Sequence, residues 1–173
     1  MRRLFFLLVF LATLALLSVV AVVALNIRGE DPLPAEAAAA VTPSAAQVER
    51  GRYLALAGNC AGCHTTRGGA AYAGGVGIET PFGTVFSSNL TPDLQAGIGS
   101  WSAAHFWRAM HNGRSKDGRL LYPAFPYPSF TRVTREDSDA LFAYLRSVAP
   151  APTPNLAHQL RFPYDTQAAL AVW

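Results

Sequence analysis

One short stretch, Cys60-Ala61-Gly62-Cys63-His64, decides the fold of this 173-residue chain. Two thiols separated by two residues, with a histidine directly after the second, form the attachment signature of c-type haem. On one helical turn both thiols can form thioethers to the porphyrin edge, and the adjacent imidazole can reach the iron from the proximal face. The motif therefore predicts one covalent haem c, attached at Cys60 and Cys63, with His64 as the proximal iron ligand.

The segments next to the motif predict a helix on one side and a long loop on the other. Before the motif, Thr42 or Ser44 can cap a helix that stops near Gly58. After it, residues 65–99 are rich in glycine and have no helical period. This composition predicts a long ordered loop or a few short extended pieces. Loops of this length in compact domains are usually functional, for example because they enclose or bind a ligand.

Two more helices are predicted nearer the C-terminus. One spans about 100–111 and stops at Gly113, with apolar residues on one face at three- and four-residue spacing. The other is capped by Thr134, has acids in its first turn and ends before Pro150. Between these helices, residues 120–130 hold three prolines among aromatic side chains, so we predict neither a helix nor a central strand there.

Together these elements predict an all-α domain with about three helices and two long irregular loops. A domain of about 100 residues with so much loop has a thin core of side chains. A haem supplies a large apolar body around which loops can wrap. The thin core is therefore a second argument for the cofactor.

The N-terminal segment is basic and then strongly apolar. Arg2 and Arg3 precede residues 4–25, which contain only two polar side chains. The length favours a retained transmembrane helix within residues 1–26, although a cleaved export signal fits the same pattern. With either interpretation the arginines stay in the cytoplasm and the rest of the chain is exported.

Three other uses of the two cysteines stay open. A structural disulfide between Cys60 and Cys63 is compatible with an exported chain. A zinc site would need a fourth ligand and usually a second cysteine pair, whereas the sequence has two Cys in all. A thioredoxin-like redox pair would need a βαβ context, and the predicted flanks are a helix and a glycine-rich loop. Covalent haem is favoured over all three.

Composition and charge exclude several classes of protein. The formal net charge is +3, and Arg2 and Arg3 account for two of these charges, so the rest of the chain is nearly balanced. A nucleic-acid-binding domain would need a basic stripe, and we exclude nucleic acid as a partner. Ten Phe, six Tyr and three Trp exclude disorder throughout.

Further stretches resemble the first haem domain of the cytochrome c subunits of membrane-bound bacterial dehydrogenases. That family serves alcohol, aldehyde and gluconate dehydrogenases and related molybdenum hydroxylases. The resemblance covers about 47–173 and rests on these stretches beside the haem motif: Arg50-Gly51-Arg52-Tyr53-Leu54, Ile78-Glu79-Thr80-Pro81-Phe82-Gly83-Thr84, Ser87-Ser88-Asn89-Leu90-Thr91-Pro92-Asp93, Gly97-Ile98-Gly99-Ser100-Trp101 and Leu121-Tyr122-Pro123-Ala124.

The resemblance implies a class I cytochrome c-like fold and the same roles for Cys60, Cys63 and His64. Together with the composition of the N-terminal segments, it divides the chain into an anchor or signal at 1–26, an Ala/Pro-rich spacer at 27–46, a haem domain at 47–149 and a tail at 150–173. In relatives such a tail leads to further haem domains, so we expect either a truncated three-haem subunit or a one-haem protein whose tail packs back on the domain.

The sixth iron ligand is where this chain departs from many relatives. Where they have Met in a Pro-Ala-Met-Pro-Tyr loop, this chain has Phe125, which cannot ligate iron. A Phe in this loop also occurs in subunits paired with molybdenum hydroxylases. Met110 is the remaining thioether candidate, with core packing as the competing interpretation. His105 and His111 are expected at the surface, and His158 is expected outside the domain.

A basic cluster adjoins this loop, and it has two interpretations. Its members are either a solvated face or a docking surface for an acidic partner near the haem edge. The cluster comprises Arg108, Arg114, Lys116 and Arg119.

The N-terminal segment and the resemblance together predict a membrane-anchored electron-transfer protein of the inner membrane, with its haem domain in the periplasm. It would take single electrons from a dehydrogenase catalytic subunit and pass them to a downstream acceptor, without being an enzyme by itself. The alternative is a haem protein with an open coordination position that binds a diatomic ligand or peroxide, because Phe125 leaves that position without a thioether.

Overall fold

The computed structural model describes residues 2–27, 33 and 42–172. Within these ranges seven helices and three short strands follow one another along the chain. In order they are α1 (Arg2–Ile27), α2 (Ala45–Ala57), α3 (Cys60–His64), β1 (Gly77–Thr80), β2 (Gly83–Phe86), α4 (Ala103–Asn112), α5 (Tyr127–Phe130), α6 (Arg135–Ser147), β3 (Gln159–Leu160) and α7 (Gln167–Val172).

The caps that fix the helix ends are local and agree with the sequence pattern. Ser44 caps α2 by accepting a hydrogen bond from the Gln47 N–H at 3.1 Å. Thr134 caps α6 in the same way. The cap of α4 is Ser102, later than the predicted start near residue 100, and it forms a reciprocal capping box with His105.

The core lies where α2 and α6 cross. Gly51 on α2 is buried, and a Cβ built there would overlap the Ala140 carbonyl oxygen of α6 and lie 2.8 Å from the Tyr144 Cβ. Glycine at this position therefore lets the two backbones approach. Helix α4 also packs against α6 and contributes Phe106 and Met110 to the core.

The all-α prediction is only partly right, because the domain is substantially helical but includes a small antiparallel sheet in the order β1-β2-β3. Strands β1 and β2 form a hairpin in which Thr80 pairs with Gly83 across a two-residue turn. Gly83 has a φ of 128°, and a Cβ there would overlap the Gln159 carbonyl oxygen of β3. The glycine at the turn thus permits both the hairpin and the approach of the tail.

Residues 120–130 also differ from the prediction, since α5 is a single helical turn containing Pro128. Proline is tolerated in the first turn of a helix, because its missing N–H has no intrahelical partner there. Pro128 is therefore compatible with this short helix.

The tail packs on the domain through side-chain and backbone hydrogen bonds. Asn89 donates through Nδ2 to the carbonyl oxygens of Ala151 at 2.8 Å and Thr153 at 3.0 Å. Asn155 donates to the Ala96 carbonyl at 2.7 Å. The tail residues that the structure describes thus pack back on the domain.

Within the described part of the chain, α1 alone is long and apolar enough to cross a membrane. Its side chains are largely exposed along its whole length. The end of α1 lies near the domain, because it contacts α7 and because the Arg114 guanidinium donates to the Asn26 carbonyl. An anchor and an export signal both fit this helix.

The crossing of α2 and α6 gives a prediction for Gly51→Ala. Helix propensity alone would make this change stabilising by about 1 kcal/mol. Because the new Cβ meets backbone atoms of Ala140, we expect destabilisation by about 1–3 kcal/mol instead. Denaturant unfolding measures the sign, with the exposed Ala46→Gly on the same helix as the propensity control. A stabilised Gly51→Ala protein would contradict this account of the crossing.

Candidate haem-binding site

A tight connection places the motif helix α3 directly after α2. The N–H of Gly58 bonds to the Leu54 carbonyl at 2.8 Å, and Asn59 then adopts the left-handed conformation with a φ of 51°. Asparagine is, after glycine, the residue that helix ends most often use in this conformation. A Cβ at Gly62 would lie 2.5 Å from the Asn59 Nδ2, so glycine at this motif position makes room for that side chain.

The two sulfurs lie on this short helix in different surroundings. Cys60 is partly buried and packs against the apolar core cluster, whereas Cys63 is exposed. Burial raises the pKa of the Cys60 thiol, and a backbone hydrogen bond acts in the opposite direction. Both cysteines are free thiols and so are available for thioether bonds.

A single hydrogen bond orients the His64 ring. Its Nδ1 lies 2.6 Å from the carbonyl oxygen of Ser88, and since a carbonyl only accepts, Nδ1 must carry the proton. The lone pair of the neutral ring is then on Nε2, the nitrogen left for a metal. Burial lowers the pKa of His64, although the bond to Ser88 opposes this, and the neutral form is the one that binds iron.

Gly74 explains how the Ser88 carbonyl reaches the histidine. A Cβ at Gly74 would lie 2.5 Å from the Ser88 carbonyl carbon and 2.7 Å from the Asn89 nitrogen. The N–H of Gly74 also donates to the His64 carbonyl at 2.8 Å. The glycine loop therefore folds back on α3 with backbone against backbone, and this contact requires a residue without a side chain.

An aromatic pair borders the motif on the side of the first cysteine. The rings of Phe125 and Phe130 stack with centroids 5.2 Å apart, and both pack on the core cluster. A Cβ at Gly58 would lie 3.4 Å from the Phe130 ring and 3.7 Å from the Cys60 sulfur. Two free thiols, an oriented imidazole and an apolar wall are the set of groups that a covalent haem requires, so the residues fit this cofactor.

Comparison with known proteins agrees with this geometry. The family model for cytochrome c matches residues 48–149, more than half of the chain. The chain belongs to the cytochrome c family. It is 54% identical over 130 residues to a subunit of the nicotinate dehydrogenase of Pseudomonas putida, a match that covers 75% of this chain and 11% of that protein.

Two further relatives carry cytochrome c subunit in their names. The cytochrome c subunit of the quinone alcohol dehydrogenase of Gluconacetobacter polyoxogenes is 44% identical over 144 residues, covering 82% of this chain and 31% of the relative. The cytochrome c subunit of the gluconate 2-dehydrogenase of Pantoea cypripedii is 45% identical over 129 residues, covering 74% of this chain and 29% of the relative. The resemblance to dehydrogenase cytochrome c subunits is therefore confirmed, and the chain spans about a third or less of these relatives.

The other histidines of this cytochrome c domain are all engaged in structural contacts. His105 belongs to the capping box of α4, and His111 stacks on the Trp107 ring with centroids 3.4 Å apart. His158 accepts a hydrogen bond from the Phe86 N–H through Nδ1 at 3.1 Å. It therefore packs on the sheet, contrary to the expectation that it lies outside the domain.

The basic cluster serves largely to hold its own loop. Arg108 donates to the Ser115 and Lys116 carbonyls at 2.6 and 3.0 Å, and the Lys116 ammonium donates to the Ser100 carbonyl at 2.8 Å. Arg119 pairs with Asp117 at 2.9 Å. These bonds give the cluster a structural role. Neither of the two interpretations of the sequence, a solvated face or a docking surface, included this role.

Sequence reasoning also missed the aromatic residue buried beside the motif. Tyr72 is 4% exposed in the same cluster as Cys60, and its ring meets that of Tyr144 edge to face. The two hydroxyls lie 3.4 Å apart, and burial, with this contact, raises the pKa of Tyr72. A lone tyrosine inside a glycine-rich segment was the available signal.

The burial of Met110 leads to a prediction about the sixth ligand. Met110 is 7% exposed and packs in the core with Phe106 and Leu141. We expect Met110→Leu to cost less than about 1.5 kcal/mol and Met110→Ala about 2–5 kcal/mol, both without a change of spin state. Denaturant unfolding and visible to near-infrared absorption measure these effects. Loss of a sulfur-to-iron charge-transfer band in both variants would identify Met110 as a ligand.

His158 gives a prediction about pH. Burial, and secondarily the Arg119 charge, lowers its pKa below the ordinary value of 6.5, so the unfolded chain binds the proton more readily. The stability that His158 contributes is therefore complete above about pH 6.5 and is lost as the pH falls from there through the lowered pKa of the folded protein. Between about pH 7.5 and 5.5 the free energy of unfolding should decline less for the His158→Gln variant than for the wild-type protein. Equal declines in the two proteins would contradict this assignment.

Proposed function

We propose that this chain is a c-type cytochrome that transfers single electrons, with one covalent haem attached at Cys60 and Cys63. The orientation of His64 is the observation that supports this most directly. Its Nε2 is left free by the bond from Nδ1 to Ser88, on a helix that also carries both free thiols.

Each residue of the site has a defined task in this proposal. When bound, the haem supplies an iron that alternates between the ferrous and ferric states. Cys60 and Cys63 would fix the macrocycle covalently, and His64 would hold the iron from the proximal side. Phe125 and Phe130 would exclude water beside Cys60, and an apolar environment of this kind influences the reduction potential.

The proposed electron donor is the catalytic subunit of a dehydrogenase, with a downstream acceptor in the respiratory chain. The names of the relatives support this, since they are subunits of nicotinate, alcohol and gluconate dehydrogenases. By itself the chain would transform no substrate. Phe130 of the one-turn α5 lies near Cys60, since a Cβ at Gly58 would be 3.4 Å from its ring and 3.7 Å from the Cys60 sulfur, and we propose this side as the route of electron entry or exit.

We also propose that α1 is a retained anchor in the inner membrane, with residues 47–149 as the haem domain in the periplasm. The apolar length of α1 and the arginines at its start support this orientation. The tail at 150–173 would then continue on the periplasmic side, held against the domain by Asn89 and β3.

The haem is tested by expressing the chain with a working cytochrome maturation system. We expect the purified wild-type protein to gain the mass of one haem and to give a pyridine haemochrome spectrum. The double variant with Cys60→Ser and Cys63→Ser should show neither the added mass nor the haemochrome spectrum. Ser88→Ala, which keeps the backbone carbonyl that binds His64, is the matched control and should load haem like the wild type. A colourless wild-type protein of unmodified mass would refute the proposal.

The same preparation separates electron transfer from the alternative function. A low-spin spectrum in both oxidation states supports electron transfer, because the iron then has two strong axial ligands. A high-spin ferric form that binds carbon monoxide readily would instead favour a haem protein with an open coordination position.

A further inference from the structure

We propose that Asn155, in the tail, is a positioning residue that lowers the reduction potential of the haem iron through the Ser88–Asn89 peptide group. This inference rests on the proposed function, because it needs His64 as an iron ligand. It concerns a residue outside the 48–149 match to the cytochrome c family. Asn155 therefore gives the tail a part in setting the properties of the cofactor.

The geometry joins the two side chains through one peptide unit. The carbonyl of this unit, from Ser88, accepts the Nδ1–H of His64 at 2.6 Å. Its N–H, from Asn89, donates to the Oδ1 of Asn155 at 2.7 Å. Histidine, peptide and asparagine thus form a continuous chain of two short hydrogen bonds.

Both ends of this chain are held in place. The Nδ2 of Asn155 donates to the Ala96 carbonyl at 2.7 Å, which fixes the direction in which Oδ1 points. The peptide itself lies against Gly74, where any side chain would collide with it. The tail backbone is fixed by the bonds from the Asn89 side chain to Ala151 and Thr153. The peptide therefore has little freedom to rotate away from either partner.

Polarisation carries the effect from Asn155 to the imidazole. A peptide whose N–H donates a hydrogen bond becomes a stronger acceptor at its carbonyl, because hydrogen bonds in a chain strengthen one another. A stronger acceptor at Nδ1–H makes the ring more electron-rich and Nε2 a better donor to the metal. A more basic axial ligand favours ferric over ferrous iron, so the bond from Asn155 lowers the potential.

The test compares Asn155→Ala with two matched variants of the full chain, each loaded with haem. Thr153→Ala lies two residues away and keeps the carbonyl that Asn89 uses, and Asn155→Asp keeps an oxygen acceptor for the Asn89 N–H. Spectroelectrochemical titration gives the midpoint potential. The NMR shift of the His64 Nδ1 proton in the ferrous protein and the hydrogen exchange of the Asn89 amide report on the two bonds separately.

We expect the Asn155→Ala substitution to shift the ferric–ferrous equilibrium threefold to tenfold toward ferrous iron, which raises the midpoint potential. A tenfold shift corresponds to about 59 mV for one electron. In this variant the Asn89 amide should exchange about fivefold faster, which corresponds to the free energy of one typical hydrogen bond. The NMR signal of the His64 Nδ1 proton should move upfield. Thr153→Ala should match the wild type in all three measurements. Asn155→Asp should have a potential at or below that of the wild type.

Three results would overturn the proposal, and one of them concerns the function as well. Unchanged Asn89 exchange in Asn155→Ala would mean that the bond does not protect this amide. Faster exchange with an unchanged potential and Nδ1 shift would make the role of Asn155 purely structural. A wild-type protein without haem would refute the proposed function itself, whereas either of the first two results, obtained with loaded protein, would refute only this inference.

Discussion

The hydrogen bond between the His64 ring and the Ser88 carbonyl is the interaction on which the rest of the site depends. Cysteine spacing brings two thiols to one helical turn, but it leaves the adjacent imidazole free to rotate and to choose its tautomer. The Ser88 carbonyl removes both freedoms, because it accepts the Nδ1 proton and leaves the lone pair on Nε2. It also attaches the helix of the motif to the glycine-rich loop, since the two partners are 24 residues apart.

That loop is ordered by close backbone contacts as well as by buried side chains such as Tyr72 and Ile98. Gly74 lies against the Ser88–Asn89 peptide, and Gly97 lies so close to the Thr91 carbonyl that a Cβ would overlap it. Such contacts bring backbone donors and acceptors together without large apolar side chains, and each requires glycine. The high glycine content of residues 65–99 is thus compatible with a defined structure, although glycine costs more conformational entropy on folding than any other residue.

The sequence could predict what is encoded locally and not what forms between distant segments. The ends of α2 and α6 follow from Ser44 and Thr134, whose side chains bond to an N–H three residues on. The three residues of the motif follow from their spacing. Strands β1 and β2 agree with the short extended pieces that were one of the two predictions for residues 65–99. The third strand was missed because β3 has only two residues, too few to show an alternating pattern. The hydrogen-bond partner of His64 was missed because it is a backbone carbonyl, a group that every residue type carries.

The tail shows most clearly why the boundary of a motif is not the boundary of the structure that supports it. Past residue 149 the family match ends, yet β3 satisfies backbone groups of β2 and Asn155 satisfies the Asn89 N–H. Without this segment, Asn89 would lose the partner of a largely buried N–H and the acceptors of its buried side-chain amide. Unpaired polar groups of this kind cost more than a typical hydrogen bond contributes. The tail therefore stabilises the conformation of the loop that orients His64.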